Sequence, residues 1–142
     1  METVNPQQVQ RVWQRLQGTA PASSVPLEPL INAEWEASSA CLALARRTGG
    51  KFGPLLRQLA QHSRSRWACL QGYCLLQTGK RPRHTHPANP AGTTAELLQK
   101  CLEDGLRRVG QYQQAAEALG AVGQLLAQEQ TRDCRQLLEI LK

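Results

Sequence analysis

The sequence is poor in aromatic residues and has no long apolar run, and both shortages limit what the chain can be. Phe, Trp and Tyr together make up 4% of the 142 residues, so leucine and alanine must supply most of a core. No stretch of 18 apolar residues occurs, which predicts that no segment spans a membrane. The first residues, METVNPQQVQRVWQRLQG, lack the apolar centre of a signal peptide, so we expect a cytoplasmic protein.

The cysteines form neither a disulfide framework nor a zinc-binding pattern. No Cys-x-x-Cys pair occurs, and an odd number at scattered spacings is typical of a reducing compartment. Most of them fall where a helix would bury them as small apolar residues, so we expect no catalytic cysteine. The five positions are Cys41, Cys69, Cys74, Cys101 and Cys134.

Positive charge is in excess but is spread along the chain. The formal net charge is +6 and the isoelectric point lies near 9.4, which permits weak attraction to nucleic acid. The one locally dense run is GKRPRH at 79–84. We therefore expect no nucleic-acid partner, and nucleic-acid binding is the last of three functional hypotheses, to be tested by the salt dependence of DNA retention.

The periodicity of apolar residues predicts five helices in two parts of the chain. Residues 1–25 are predicted to form a short amphipathic helix and a linker, and residues 26–142 a helical bundle. The stretch KRPRHTHPANPAG has no periodicity and many prolines, so it predicts a long connection in the middle of the bundle. The four bundle helices are predicted over about 27–47, 54–77, 93–119 and from 122 to the end.

Several polar residues fall on the apolar faces of these helices. They lie near mid-helix, one or two on each helix, so antiparallel helices would bring them to one level. A carboxylate at such a level is costly unless it is paired or binds a metal. The positions are Glu34, Ser63, Arg66, Gly105, Gln130 and Asp133.

Three passages resemble bacterial ferritin-like proteins of the rubrerythrin type. They read LINAEWEASSACLALARR, LLRQLAQHSRSRWACLQGYCLLQTGKRP and LLAQEQTRDCRQLLEIL, and they fall within residues 27–142. The resemblance implies an all-α, antiparallel four-helix bundle with a long crossover between the second and third helices. It also implies two metal ions, held by a Glu from one helix of each pair and Glu-x-x-His from the other.

The first three bundle helices keep one residue of that ligand pattern. Glu34 matches the glutamate expected from the first helix. Ser63 and Arg66 stand where the second helix would carry Glu-x-x-His, and Gly105 stands where the third would carry a glutamate. The permanent charge of Arg66 would repel a metal ion at this level.

The last helix departs from the pattern as well. Gln130 and Asp133 stand at the second Glu-x-x-His, and a shift of one residue offers Glu129 with Arg132. Glu-x-x-His occurs nowhere in the chain. The resemblance thus implies a degenerate di-iron motif, so we expect no catalytic residue, no metal and no cofactor.

Three interpretations of Arg66 follow. In the first, it occupies the former metal layer and neutralises Glu34 and also Asp133, while Ser63 and Gln130 satisfy the remaining donors and acceptors. In the second, its stem is buried and its charge reaches solvent. In the third, a metal site survives. Under the first, Arg66→Leu should destabilise the protein or induce cation binding.

The favoured functional hypothesis is a metal-free ferritin-like bundle acting as a scaffold or interaction module, as a homodimer or with another protein. The alternative is a metalloprotein binding iron or another metal at a reduced site, with oxidase or peroxide-handling activity. His84 and His86 are expected to be solvated or to bind a metal weakly. Trp13, Trp35 and Trp67 are expected to pack helices together or to form a dimer face.

Overall fold

A computed structural model of the chain describes residues 27–84 and 91–142. These residues form five helices and contain no strand, so the predicted all-α class is confirmed for this part of the chain. The predicted N-terminal helix and linker of residues 1–25, with Trp13, lie outside the described residues, as does His86.

The helices agree closely with the predicted segments, with one correction. The segment predicted to continue from about 93 to 119 is broken at Ala115, where φ is −83° and ψ is −2°. Ala115 is completely buried, and the short helix that follows it ends at Leu119. The helices are α1 (Glu28–Thr48), α2 (Gly53–Thr78), α3 (Thr94–Gln114), α4 (Ala116–Leu119) and α5 (Ala121–Leu141).

The ends of the helices follow from local sequence signals. A proline lies in the first turn of α1 and of α2, where no intrahelical partner is needed for its missing N–H. The Thr93 hydroxyl caps α3 by accepting a hydrogen bond from the Glu96 N–H at 3.1 Å. Gly79 ends α2 with φ of +75°, a backbone conformation that favours glycine.

Neighbouring helices run antiparallel around a shared interior. α1 packs on α2 and on α3, and α3 packs on α5. Glu34, early in α1, contacts Arg66 in the second half of α2 and Tyr112 near the end of α3. Arg66 also contacts Glu129 of α5. One level of the interior is therefore reached by side chains of all four long helices.

Two apolar clusters lie on either side of that level. The first joins the start of α1, the end of α3 and the start of α5, and the second joins the end of α1, the start of α2 and the start of α3. Leucine supplies most of both clusters, as the low aromatic content predicts. The first comprises Leu27, Leu30, Ile31, Leu70, Tyr112, Ala115, Leu119, Leu126 and Ala127; the second comprises Cys41, Leu44, Ala45, Leu56, Leu59, Ala60, Leu97, Leu98 and Leu137.

Within residues 27–84 and 91–142, no helix combines the length and apolar character needed to cross a membrane.

Candidate functional site

Between the apolar clusters lies a layer of buried polar side chains, here called the charged layer. The six positions predicted from the sequence are all buried. Contacts of Arg66, Gln130 and Gly105 bring them together in the interior. The layer comprises Glu34, Ser38, Ser63, Arg66, Gly105, Arg108, Gln130 and Asp133, with Glu129 at its edge.

Arg66 is the centre of the charged layer. Its Nε donates a short hydrogen bond to Glu34 Oε2, and its Nη2 donates to Ser63 Oγ at 3.2 Å. Its Nη1 donates to Glu129 Oε1 at 2.7 Å and lies 2.9 Å from Asp133 Oδ2. All three nitrogens of the guanidinium thus have partners, and these partners belong to α1, α2 and α5.

The predicted ion pairs of Arg66 with Glu34 and Asp133 are therefore confirmed. The alternative in which its charge reaches solvent is wrong, because the side chain is 1% exposed. Burial alone would lower the pKa of Arg66, but the charges of Glu34 and Asp133 and the hydrogen bond to Glu34 raise it above its ordinary value. Arg66 consequently contributes a fixed positive charge to the interior.

Glu34 is held from its other side by two residues of α3. The Tyr112 hydroxyl donates to Glu34 Oε2 at 2.7 Å, and Arg108 Nε lies 3.1 Å from Glu34 Oε1. Burial, the charge of Glu34 and this hydrogen bond all raise the pKa of Tyr112. Tyr112 therefore stays a protonated donor, and Glu34 lies between two guanidinium groups and a hydroxyl.

Gly105 leaves room for the neighbouring side chains. A Cβ at this position would lie 2.9 Å from Cys134 Sγ and 3.1 Å from Gln130 Nε2. Gln130 in turn accepts a hydrogen bond from Arg108 Nε at 3.2 Å. The predicted role of Gln130 as a partner for leftover donors is confirmed, although the donor belongs to Arg108, which is not one of the six predicted positions.

Four residues of the site were not among the six predicted positions: Ser38, Arg108, Tyr112 and Glu129. Arg108 lies three residues after Gly105 and four before Tyr112, so all three share one helix face, and this spacing is a signal that could have found Arg108. Tyr112 has an apolar ring, and nothing in the sequence indicates that its hydroxyl donates to Glu34. Glu129 was considered as a ligand in a shifted register and is instead an ion-pair partner of Arg66.

The side chains of the layer do not fit the pair of metal ions that the resemblance implies. Arg66 and Arg108 place two permanent positive charges beside Glu34, the single glutamate retained from the ligand pattern. Both oxygens of Glu34 are directed at these groups and at Tyr112. A cation at the centre of the layer would therefore meet guanidinium nitrogens where ligands are required.

A second polar group joins the long connection to the bundle. His84 Nε2 accepts a hydrogen bond from Trp67 Nε1 at 2.6 Å and lies 2.9 Å from Gln71 Nε2. The His84 ring stacks on Trp35 at a centroid distance of 5.1 Å, and Arg64 covers Trp35 at 4.0 Å. Burial and the charge of Arg64 lower the pKa of His84.

These contacts correct the expectation that His84 is simply solvated. Its Nε2 is already occupied by a donor, which leaves that nitrogen unsuited to a metal. Of the two roles predicted for Trp35 and Trp67, packing between helices is confirmed, because their rings contact across α1 and α2 with centroids 4.9 Å apart. The group therefore anchors the start of the connection, while His86 lies outside the described residues.

The chain matches no protein-family model, no curated protein and no solved structure.

Proposed function

We propose that the chain is a ferritin-like four-helix bundle in which a buried ion-pair network replaces the metal centre. The antiparallel neighbours, and a connection of 15 residues (79–93) between α2 and α3, support that topology. The degenerate ligand positions all lie in the charged layer, at the level where the resemblance implies metal ions. The single observation that carries the proposal is Arg66, whose guanidinium binds Glu34, Glu129 and Asp133 together.

The function proposed is a non-catalytic one, as a scaffold or interaction module. Redox chemistry at a di-metal centre needs open coordination positions and several free carboxylates. Here Glu34 is fully buried and engaged by Arg66, Arg108 and Tyr112. The network links side chains of the four long helices, and the proposed function is binding through the outer surface of the bundle.

Iron loading tests the loss of the metal centre. The protein would be produced in iron-supplemented cells, purified without chelators, and analysed for metals and for consumption of oxygen and peroxide. We expect far less than the roughly two iron ions per chain of a di-iron bundle, and turnover no faster than that of free iron. A full pair of ions with iron-dependent turnover would instead establish the alternative, an oxidase or peroxide-handling metalloprotein.

A variant that rebuilds the implied ligand set tests the topology separately. Ser63→Glu, Arg66→His, Gly105→Glu, Gln130→Glu and Asp133→His, made together, restore a glutamate or Glu-x-x-His on every helix of the layer, and Arg108→Leu removes the second guanidinium from Glu34. If the bundle is ferritin-like, this variant should take up iron that the parent does not. A folded variant that stays free of iron would contradict the proposed topology.

Oligomeric state tests the predicted partner. Light scattering of the purified chain over a range of concentrations should show a homodimer or, if the partner is another protein, a monomer.

A further inference from the structure

One edge of the charged layer brings together three metal-ligating side chains. His62 projects from α2, and Glu129 and Asp133 project from α5, where a spacing of four residues places them on one face. One ligand atom from each of the three lies within 4.8 Å of the other two. None of these side chains is needed to hold Glu34, the residue at the centre of the layer.

Arg66 orients both carboxylates of this group and leaves part of each available. Asp133 directs Oδ2 at Arg66 Nη1 and Oδ1 at His62 Nδ1, at distances of 2.9 Å in both cases. Glu129 directs Oε1 at Arg66 Nη1 at 2.7 Å. A carboxylate oriented by a fixed neighbouring donor through one oxygen can coordinate an ion through the other.

His62 and Asp133 are close enough to become two ligands of one ion. In the structure His62 Nδ1 and Asp133 Oδ1 share a hydrogen bond of 2.9 Å, whereas two ligand atoms about 2.0–2.1 Å from a tetrahedral zinc ion are separated by roughly 3.3–3.4 Å. A bound ion would therefore replace this hydrogen bond after a shift of about 0.5 Å. The side chain of Glu129 is 40% exposed and therefore has room to turn toward the third position.

The charge of the layer favours a cation at this edge. Three carboxylates, from Glu34, Glu129 and Asp133, face two guanidinium groups, from Arg66 and Arg108. Arg108 contacts Glu34 and Arg66 is shared among all three carboxylates, so the one negative charge in excess lies with Glu129 and Asp133. His62 is 35% exposed, and water can therefore reach the group and complete a coordination shell.

We propose that His62, Glu129 and Asp133 form a site for a single divalent transition-metal ion of the zinc class. One imidazole and two carboxylates are ligands that such ions accept, with water in the remaining position. The site takes one ion at the edge of the bundle and is independent of a metal pair at the centre. It is compatible with a non-catalytic protein.

Calorimetric titration of the full-length chain with zinc chloride tests this site. We expect one ion per chain, and an affinity that falls by about tenfold or more in Glu129→Gln and in His62→Gln. Glu139→Gln is the matched control, because it removes the same charge from an exposed position of the same helix. Unfolding curves recorded without zinc establish that each variant is folded.

The absorption of the cobalt complex identifies the ligands. Nitrogen and oxygen ligands give a spectrum without thiolate-to-cobalt charge transfer, and that is the expected result. The proposal is overturned if no zinc binds at millimolar concentration, if Glu139→Gln weakens binding as much as Glu129→Gln, or if charge transfer shows that the ion lies on cysteine, of which Cys69 is exposed. If His62→Gln does not fold, Glu129→Gln decides the outcome alone.

Discussion

The charged layer and the two apolar clusters fill the same interior but depend on different kinds of contact. In the clusters, residues such as Leu56 and Leu70 are fully buried among other leucines, and their attraction is non-directional. In the charged layer, Arg66 and Glu34 are buried to the same extent and require particular atoms in particular places. Apolar packing tolerates a change of shape, whereas a buried ion pair loses its compensation when one partner changes.

The largest expected effect comes from Arg66→Leu. The substitution leaves Glu34 and Asp133 buried beside an apolar side chain, so the free energy of unfolding should fall by about 3–5 kcal/mol. Chemical denaturation at neutral pH measures it. Arg132→Leu, an exposed position on α5, is the control and should change stability by about 0.5 kcal/mol or less. Equal stability of Arg66→Leu and the parent would contradict the pairing.

A pair of conservative substitutions sharpens the comparison. Lysine at position 66 keeps the charge but has one ammonium group, which cannot reach Glu34, Ser63 and Glu129 together. Arg66→Lys should therefore cost about 1.5–3 kcal/mol, the value of hydrogen bonds to charged groups. Leu56→Met, in the second apolar cluster, should cost less than about 1.5 kcal/mol. The reverse order in denaturation midpoints would show that the layer is held by general packing.

Tyr112 belongs to both regions and separates their contributions. Its ring packs in the first apolar cluster while its hydroxyl donates to Glu34 at 2.7 Å. Tyr112→Phe keeps the ring and should lower stability by about 1–2 kcal/mol, because a buried acceptor loses a donor. Tyr73→Phe, at the margin of the same cluster, is the control. Equal losses in the two variants would mean that the hydroxyl of Tyr112 contributes nothing specific.

Two glycines of α3 test how tightly the layer is packed. Alanine normally stabilises a helix interior relative to glycine by about 0.5–1 kcal/mol. Gly110→Ala should show this, because a Cβ there meets nothing within 4 Å. Gly105→Ala should instead destabilise by about 1 kcal/mol, since its Cβ would lie 2.9 Å from Cys134 Sγ. Adding Cys134→Ala to Gly105→Ala should recover part of the lost stability. If stability does not recover, the contact with Cys134 is not the cause of the destabilisation.

The sequence predicts the helices and the level of the charged layer well, because both depend on local signals. Proline in a first turn, a threonine cap and glycine after a helix are readable without tertiary contacts. Polar residues on an apolar face, such as Ser63 and Arg66, indicate by themselves that the interior contains a level of polar groups that need partners.

What the sequence could not predict depends on how the helices are rotated and offset. Arg108 and Val109 differ by about 100° around the helix axis, and packing against α1 decides that Arg108 faces Glu34. Glu129 contacts Arg66 because of the position that α5 takes along the length of α2, and the sequence does not specify that position. His84 lies in a connection without periodicity, so its position against Trp35 and Trp67 depends entirely on tertiary packing.

The smallest expected effect concerns His84, a polar contact at the surface rather than in the layer. The folded protein lowers the pKa of His84, through burial and then the charge of Arg64, while Glu28 acts in the opposite direction. The unfolded chain therefore binds a proton more readily, and the contribution of His84 to stability is present above about pH 6.5 and declines as the pH falls.

Proton NMR of the Trp67 indole follows this change directly. Protonation of His84 Nε2 removes the acceptor of the indole N–H, so the Trp67 signal should move with a midpoint below the ordinary histidine value of about 6.5. His84→Gln should remove the titration and leave acid unfolding otherwise unchanged. A midpoint above that value would mean that the protonated ring is the form that the tryptophan pair prefers. In that case the connection would be held by charge, as the interior is, rather than by a neutral stacked contact.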